Sequence, residues 1–136
     1  MSLAPLNNLI RAGSLKAEPS DQHEFDGLVR SAMLRLTDAE RGALSLESRF
    51  DLAYNAAHAL SLAALRWHGY RSDNRYLVFQ CLQHTVGLAQ AKWRVLDQCH
   101  RKRNLAEYEG FCDISEGEIA GLLAITRELA EMVKHM

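Results

Sequence analysis

Proline is almost missing: the chain has 2 in 136 residues, Pro5 and Pro19, so nothing beyond Pro19 forces a helix to break. No useful stretch alternates with period two, and glycine and proline do not mark off strand-sized blocks, which excludes a sheet-based fold. The three cysteines, Cys81, Cys99 and Cys112, include no CxxC pair and no paired framework, so a disulfide scaffold is excluded and reduced, mostly buried thiols are expected. No run approaches the ~18 to 20 apolar residues of a membrane span. The N-terminus has no basic segment leading into an apolar one, and the default expectation is a cytoplasmic protein with no membrane role. There is no excess of positive charge either. A net charge of −1 and a pI of about 6.6 rule out a broad basic field, so any nucleic-acid contact must be local. Glycine-rich phosphate loops, the Rossmann fingerprint, HExxH, EF-hand loops and the G-x-S-x-G elbow are all absent. The histidines at 23, 58, 68, 84, 100 and 135 are scattered, and none stands at the Glu-x-x-His spacing of a di-iron bundle. Neither a metal nor an organic cofactor is expected.

What is present is the material of a helical protein. At 48% hydrophobic and 24% charged over 136 residues, the chain suits one domain with a core that needs no staples. A short helix is predicted within residues 3–12, and the segment 1–19 as a whole reads as loosely packed. Ser20 is the expected cap of a helix over about 21–41, whose stripe is Phe25, Leu28, Val29, Ala32, Met33 and Leu36. Ser45 caps the next, which runs to Trp67 and Gly69 and is dense in alanine (Ala53, Ala56, Ala57, Ala59, Ala63, Ala64), so that neighbours can approach closely. Tyr54 and His58 lie four apart on it and can face a shared cleft, although a lone histidine on such a helix is more often structural. Residues 69–74 form a turn, followed by a helix over roughly 73–86 with apolar contacts from Tyr76, Leu77, Phe79, Cys81, Leu82 and Val86. A further helix covers about 89–109 and stops at Gly110. The last is capped by Asp113 or Ser115, where Ser115 and Glu118 have capping-box spacing. The expected fold is all-α, an up-and-down bundle of four long helices with one or two shorter ones attached.

The helix over 89–109 carries the densest polar cluster, Asp97 to Tyr108. Asp97, Arg101, Asn104 and Tyr108 follow at i, i+4, i+7 and i+11 and share one helical stripe, with Val95, Cys99 and Ala106 roughly opposite. That pattern predicts a helix that packs through its apolar face and presents the polar one. Lys92, Arg94, Arg101, Lys102 and Arg103 set a small basic patch against Asp97 alone, bounded by Glu107 and Glu109. A structural reading accounts for the same residues: bases late in a helix favour its negative end, and Asp97 with Arg101 is a helical ion pair.

Arg103-Asn104, three further residues and then Tyr108, near the end of a helix that follows a helical pair, resemble the signature region of HEPN-domain proteins. The resemblance implies a small all-α bundle and a metal-independent endoribonuclease, or the RNase half of a toxin–antitoxin pair with a nucleotidyltransferase-type partner. It implies Arg103, Asn104 and Tyr108 as catalytic residues at a dimer cleft. Tyr108 occupies the place of the family's histidine. A tyrosine with a reference pKa of about 10 is mostly a hydrogen-bond donor at pH 7, whereas histidine suits proton transfer there.

Two functions follow as expectations. In the first, a homodimer brings two copies of Arg101, Arg103, Asn104 and Tyr108 to a groove that holds RNA, with Asp97, His100, Arg101 and Lys102 binding substrate. His100 or Tyr108 would accept the proton. Arg103 and Tyr108 are five residues apart, about 140° around an ideal helix, so a bend or a second subunit is needed to join them. In the second, the chain is a non-catalytic module that pairs with a partner protein or binds a nucleotide. A plainer arrangement also fits: Asp97, Arg101 and Asn104 as a buried polar network that fixes dimer register.

Overall fold

The computed structural model describes residues 2–136, apart from the side chain of Tyr76, so the apolar contact expected of Tyr76 lies outside the described residues. The protein is all-α: α1 (Ala4–Arg11), α2 (Gln22–Ala39), α3 (Leu46–Trp67), α4 (Arg75–Gln80), α5 (Leu82–Thr85), α6 (Gln90–Glu109) and α7 (Glu116–Lys134). Helix α3 is the hub. Its alanines Ala53, Ala56, Ala57, Ala63 and Ala64 are fully buried, and with no side chain beyond Cβ they let α2 and α7 pack close on one side and α4 and α6 on the other. Phe25, Ala32 and Leu36 of α2 and Ile119, Leu122, Leu129 and Val133 of α7 complete the main core.

The helix ends follow local chemistry. Asp21, one residue past the expected Ser20, caps α2 by accepting from the His23 and Glu24 backbone N–H groups at 2.9 and 3.2 Å, an interaction worth about 1 kcal/mol. Ser45 caps α3 through the Ser48 N–H at 3.1 Å. Ser115 and Glu118 form the capping box of α7, and Gly110 ends α6 in the left-handed region at φ 80°, where a side chain would be strained.

The segment 73–86 departs from a single helix. It divides into α4 and α5 around Cys81, whose own dihedrals remain helical (φ −66°, ψ −18°); a tighter turn, His84 N–H to the Cys81 carbonyl at 2.9 Å, interrupts the regular ladder. A second small apolar cluster, Leu6, Leu15, Leu65, Tyr70, Val78 and Cys81, ties α1 to the end of α3. Beside it lies a two-residue antiparallel ladder, β1 (Lys16–Ala17) with β2 (Tyr70–Arg71), too short to leave any alternation in the sequence. No described helix is long and apolar enough to cross a membrane.

Candidate functional site

Helix α6 presents only part of its polar stripe outward: Arg101 and Tyr108 are exposed, Asn104 is half-buried and Asp97 is buried. Its buried residues are Trp93, Leu96, Asp97 and His100, so the helix turns Asp97 and His100 toward α3 and α4, while Cys99 packs against the main core from the flank. The reason lies on α3. Asp51, Tyr54 and His58 recur at i, i+3 and i+7 there and form a polar and aromatic stripe that α6 must match.

The centre of the match is Tyr54, whose hydroxyl lies 2.8 Å from His100 Nδ1. His100 Nε2 is in turn 3.2 Å from the Asn104 side-chain nitrogen. An amide nitrogen only donates, so with this amide orientation Nε2 accepts, Nδ1 carries the ring proton, and Nδ1–H donates to the phenol oxygen. The Arg75 guanidinium at the start of α4 also acts on this hydroxyl, favouring its ionised form. Arg103 sits with its guanidinium carbon 5.2 Å from the centre of the Tyr54 ring, a cation–π arrangement. It is held there by Asp51 and Glu107, each at 3.2 Å. Two arginines from different helices therefore meet one tyrosine.

The electrostatics follow from burial and from those arginines. His100 is 3% exposed; burial pushes its pKa below the usual histidine value, Asp97 opposes this, and Arg75, Arg103 and Arg101 add to the depression. Burial and then Arg75, His100 and Arg103 take His58 down to about 4, so both rings are neutral at pH 7. Burial raises the Tyr54 phenol despite the opposing action of Arg75 and Arg103. His58 stacks on Tyr54 at 6.3 Å and meets Phe79 edge-on at 6.1 Å. Its buried Nε2 has no hydrogen-bond partner among the described residues. The arrangement can draw an anion to Arg75 and Arg103.

Of the residues singled out in the sequence, His100, Arg103 and Asn104 come together around Tyr54. Asp97 faces the same side and binds Arg101 at 3.0 Å. Lys102 turns to the opposite side of α6, where it donates to the Asp113 carbonyl at 2.7 Å and to Glu118 at 2.6 Å. Tyr108 is 91% exposed and stands apart from the cluster, as the 140° offset from Arg103 implies. Asp51, Arg75 and Phe79 belong to the site and were not singled out. The i, i+3, i+7 spacing of Asp51, Tyr54 and His58 was the available signal for the first, whereas nothing local marks Arg75. Among the described residues no three of His, Cys, Asp and Glu gather as metal ligands. No protein-family model matches this chain, and neither does any curated protein or solved structure compared with it.

Proposed function

We propose that this protein is a HEPN-like, cytoplasmic RNA-binding protein that acts as a homodimer and cleaves RNA without a metal ion. The observation that carries the reading is the Tyr54–His100–Asn104 hydrogen-bond chain flanked by Arg75 and Arg103. Phosphodiester cleavage by a neighbouring 2′-hydroxyl needs two things, charge to hold the phosphate and a neutral base near pH 7. The arginines supply the first; for the second, His100 is neutral and serves as the base once its Nε2 exchanges the Asn104 amide for the 2′-hydroxyl. In this mechanism the 2′-oxygen attacks phosphorus as its proton passes to the base, the P–O5′ bond breaks, and the 5′-oxygen leaves as it takes up a proton from water. The products are a 2′,3′-cyclic phosphate and a 5′-hydroxyl. Leu105, Tyr108 and Phe111, exposed around the end of α6, give a second copy an apolar surface to meet, and a groove between copies would put Tyr108 beside the other subunit's RNA.

A second reading is a non-catalytic module that pairs with a nucleotidyltransferase-type protein. The exposure of Tyr108 and the depth of His100 favour it. Incubation with total RNA in EDTA separates the two. Cleavage is expected to leave cyclic phosphate ends and to disappear in Arg103→Ala, a half-buried residue whose loss spares the core. Silence of both wild type and Tyr108→His, with the protein folded, would leave the module as the surviving reading.

A further inference from the structure

A guanidinium offers two forks to an anion, Nε with Nη2 along its side and Nη1 with Nη2 at its end. On Arg103 each fork is half taken. Asp51, from α3, meets Nε at 3.2 Å, and Glu107, one turn further along α6, meets Nη1 at 3.2 Å. Nη2, common to both forks, has no hydrogen-bond partner among the described residues. The ring of Tyr54, also from α3, lies against one face of the guanidinium with its centre 5.2 Å from Cζ. Helix α3 therefore fixes the side and one face of Arg103. Its end is held from α6 alone, by Glu107.

These two contacts are loose. Charge-assisted hydrogen bonds run to about 2.7 to 2.9 Å, and elsewhere in this chain Arg66 and Arg71 hold Glu24 at 2.7 and 2.9 Å. The Asp51 and Glu107 side chains are 59% and 62% exposed, and ion pairs so open to water are weak. One positive charge thus faces two negative ones, and the free protein offers no net positive charge at this arginine. A phosphodiester can bridge Nη1 and Nη2 with two oxygens only when Glu107 leaves, whereas Asp51 can stay on Nε. We infer that Glu107 is a displaceable stand-in for the phosphate: it occupies the end of the Arg103 fork in the free protein and yields it to a phosphodiester, while Asp51 and Tyr54 keep the guanidinium aimed. Binding at Arg103 is then an exchange and not an addition. The inference rests on the reading of Arg103 as a phosphate contact and adds what that contact must displace.

Dimethyl phosphate is the probe, because it is a phosphodiester with no 2′-hydroxyl and cannot be cleaved by the route proposed above. In the isotopically labelled full-length chain, the Arg103 Nε–H resonance, identified by its loss in Arg103→Lys, is expected to move saturably as the probe is added. Glu107→Gln should tighten that binding about threefold, the scale of an exposed ion pair. Asp51→Asn, which frees Nε and not the end of the fork, should tighten it less. Glu109→Gln removes the same charge two residues on, from a carboxylate that is not a partner of Arg103; it controls for the general field and should change little. If the chain cleaves RNA, Glu107→Gln should also lower KM about threefold. Movement of Arg103 by dimethyl phosphate, tighter in Glu107→Gln and with RNA left intact, would uphold the exchange and remove only the cleavage reading. The inference is overturned if dimethyl phosphate moves Arg103 in neither the wild type nor Glu107→Gln, or if Glu109→Gln or Asp51→Asn tightens binding as much as Glu107→Gln does.

Discussion

Helix α3 carries two buried polar centres, Arg66 and Tyr54, twelve residues apart or about 18 Å along its axis, and they are built on opposite principles. Arg66 is 3% exposed and every direction of its guanidinium is met. Nε donates to Glu24 at 2.7 Å, Nη1 to the carbonyls of Glu18 and Tyr70 at 3.0 and 3.4 Å, and Nη2 to the Pro19 carbonyl at 2.6 Å and toward the Glu18 carboxylate at 3.4 Å. That is a saturated centre, and it locks the chain entering α2 and the β1–β2 ladder onto the end of α3. The Tyr54 centre is open: His58 Nε2 has no partner among the described residues, both histidines are neutral, and two guanidiniums gather around one phenol. A polar group completed by its own chain has a structural role, whereas one left incomplete waits for something else.

The largest test of that contrast is Arg66→Met. It strips the Glu24 carboxylate and the carbonyls of Glu18, Pro19 and Tyr70 at once, and breaking a buried charge network of this kind costs about 3 to 5 kcal/mol. Urea unfolding should show the whole loss, while RNA cleavage per folded molecule stays unchanged. A cost under about 1 kcal/mol would erase the distinction between the centres. Arg66→Lys should recover little, because one ammonium cannot reach acceptors fanned around a planar fork.

The open centre should reveal itself through pH. His58 titrates near 4 in the folded protein against about 6.5 unfolded, so the unfolded chain takes up a proton first as pH falls. Its contribution is present above 6.5 and is lost progressively down to 4, with a ceiling of about 3 kcal/mol. His100, also depressed, adds with the same sign. Glu24 behaves differently. Burial alone would raise its carboxyl, but hydrogen bonds from Arg66 and Arg71 hold it below its ordinary value, so the stability it gives is lost only at lower pH, as its depressed folded pKa is approached. His58→Phe keeps the ring against Tyr54 and Phe79, removes the orphan nitrogen, and should flatten the decline between pH 6.5 and 4 without lowering stability at pH 7. An unchanged pH profile would show that the cleft does not keep His58 neutral.

Tyr54→Phe comes next in size. It takes the hydroxyl from His100 Nδ1 and from Arg75 while preserving the ring under Arg103, an expected cost of about 1 to 2 kcal/mol in a denaturant titration. If the phenol relays a proton, the pH profile of RNA cleavage should shift as well, which a structural hydroxyl would not cause.

Much of the fold was legible in the residues. The 3.6-residue periodicity fixed α2, α3, α6 and α7, because their apolar stripes are long; Ser45 and Ser115 have cap chemistry that acts locally, and Gly110 alone tolerates its φ. Less was legible where the cause is distant in sequence. The stripe Asp97, Arg101, Asn104 and Tyr108 of α6 was expected to face out; Arg101 and Tyr108 do, whereas Asp97 and Asn104 turn inward, because the Asp51, Tyr54 and His58 stripe of α3 lies against that side. Arg75 enters the site only because α4 packs on α6, and the β1–β2 ladder joins segments more than fifty residues apart. Asn104 was marked by its place on the stripe of Asp97, Arg101 and Tyr108, and Arg103 only by the resemblance of Arg103-Asn104 and Tyr108 to a signature motif.

Tyr108 gives the smallest expected effect and the sharpest question. At 91% exposed it contributes almost nothing to the fold, so Tyr108→Ala should change unfolding free energy by no more than about 0.5 kcal/mol. A residue with no folding role that shares an exposed apolar surface with Leu105 and Phe111 can matter only through what lands on it. If the protein dimerises through this end of α6, Tyr108→Ala should raise the dissociation constant in sedimentation equilibrium while leaving the unfolding midpoint of the isolated monomer unchanged. If it acts on RNA across that dimer, cleavage should fall further than dimer loss alone explains, a difference that vanishes when the measurement is made above the mutant's dissociation constant. A Tyr108→Ala protein that dimerises and cleaves like the wild type would leave the Tyr54 centre, with Arg75 and Arg103, to account for the proposed activity without the exposed end of α6.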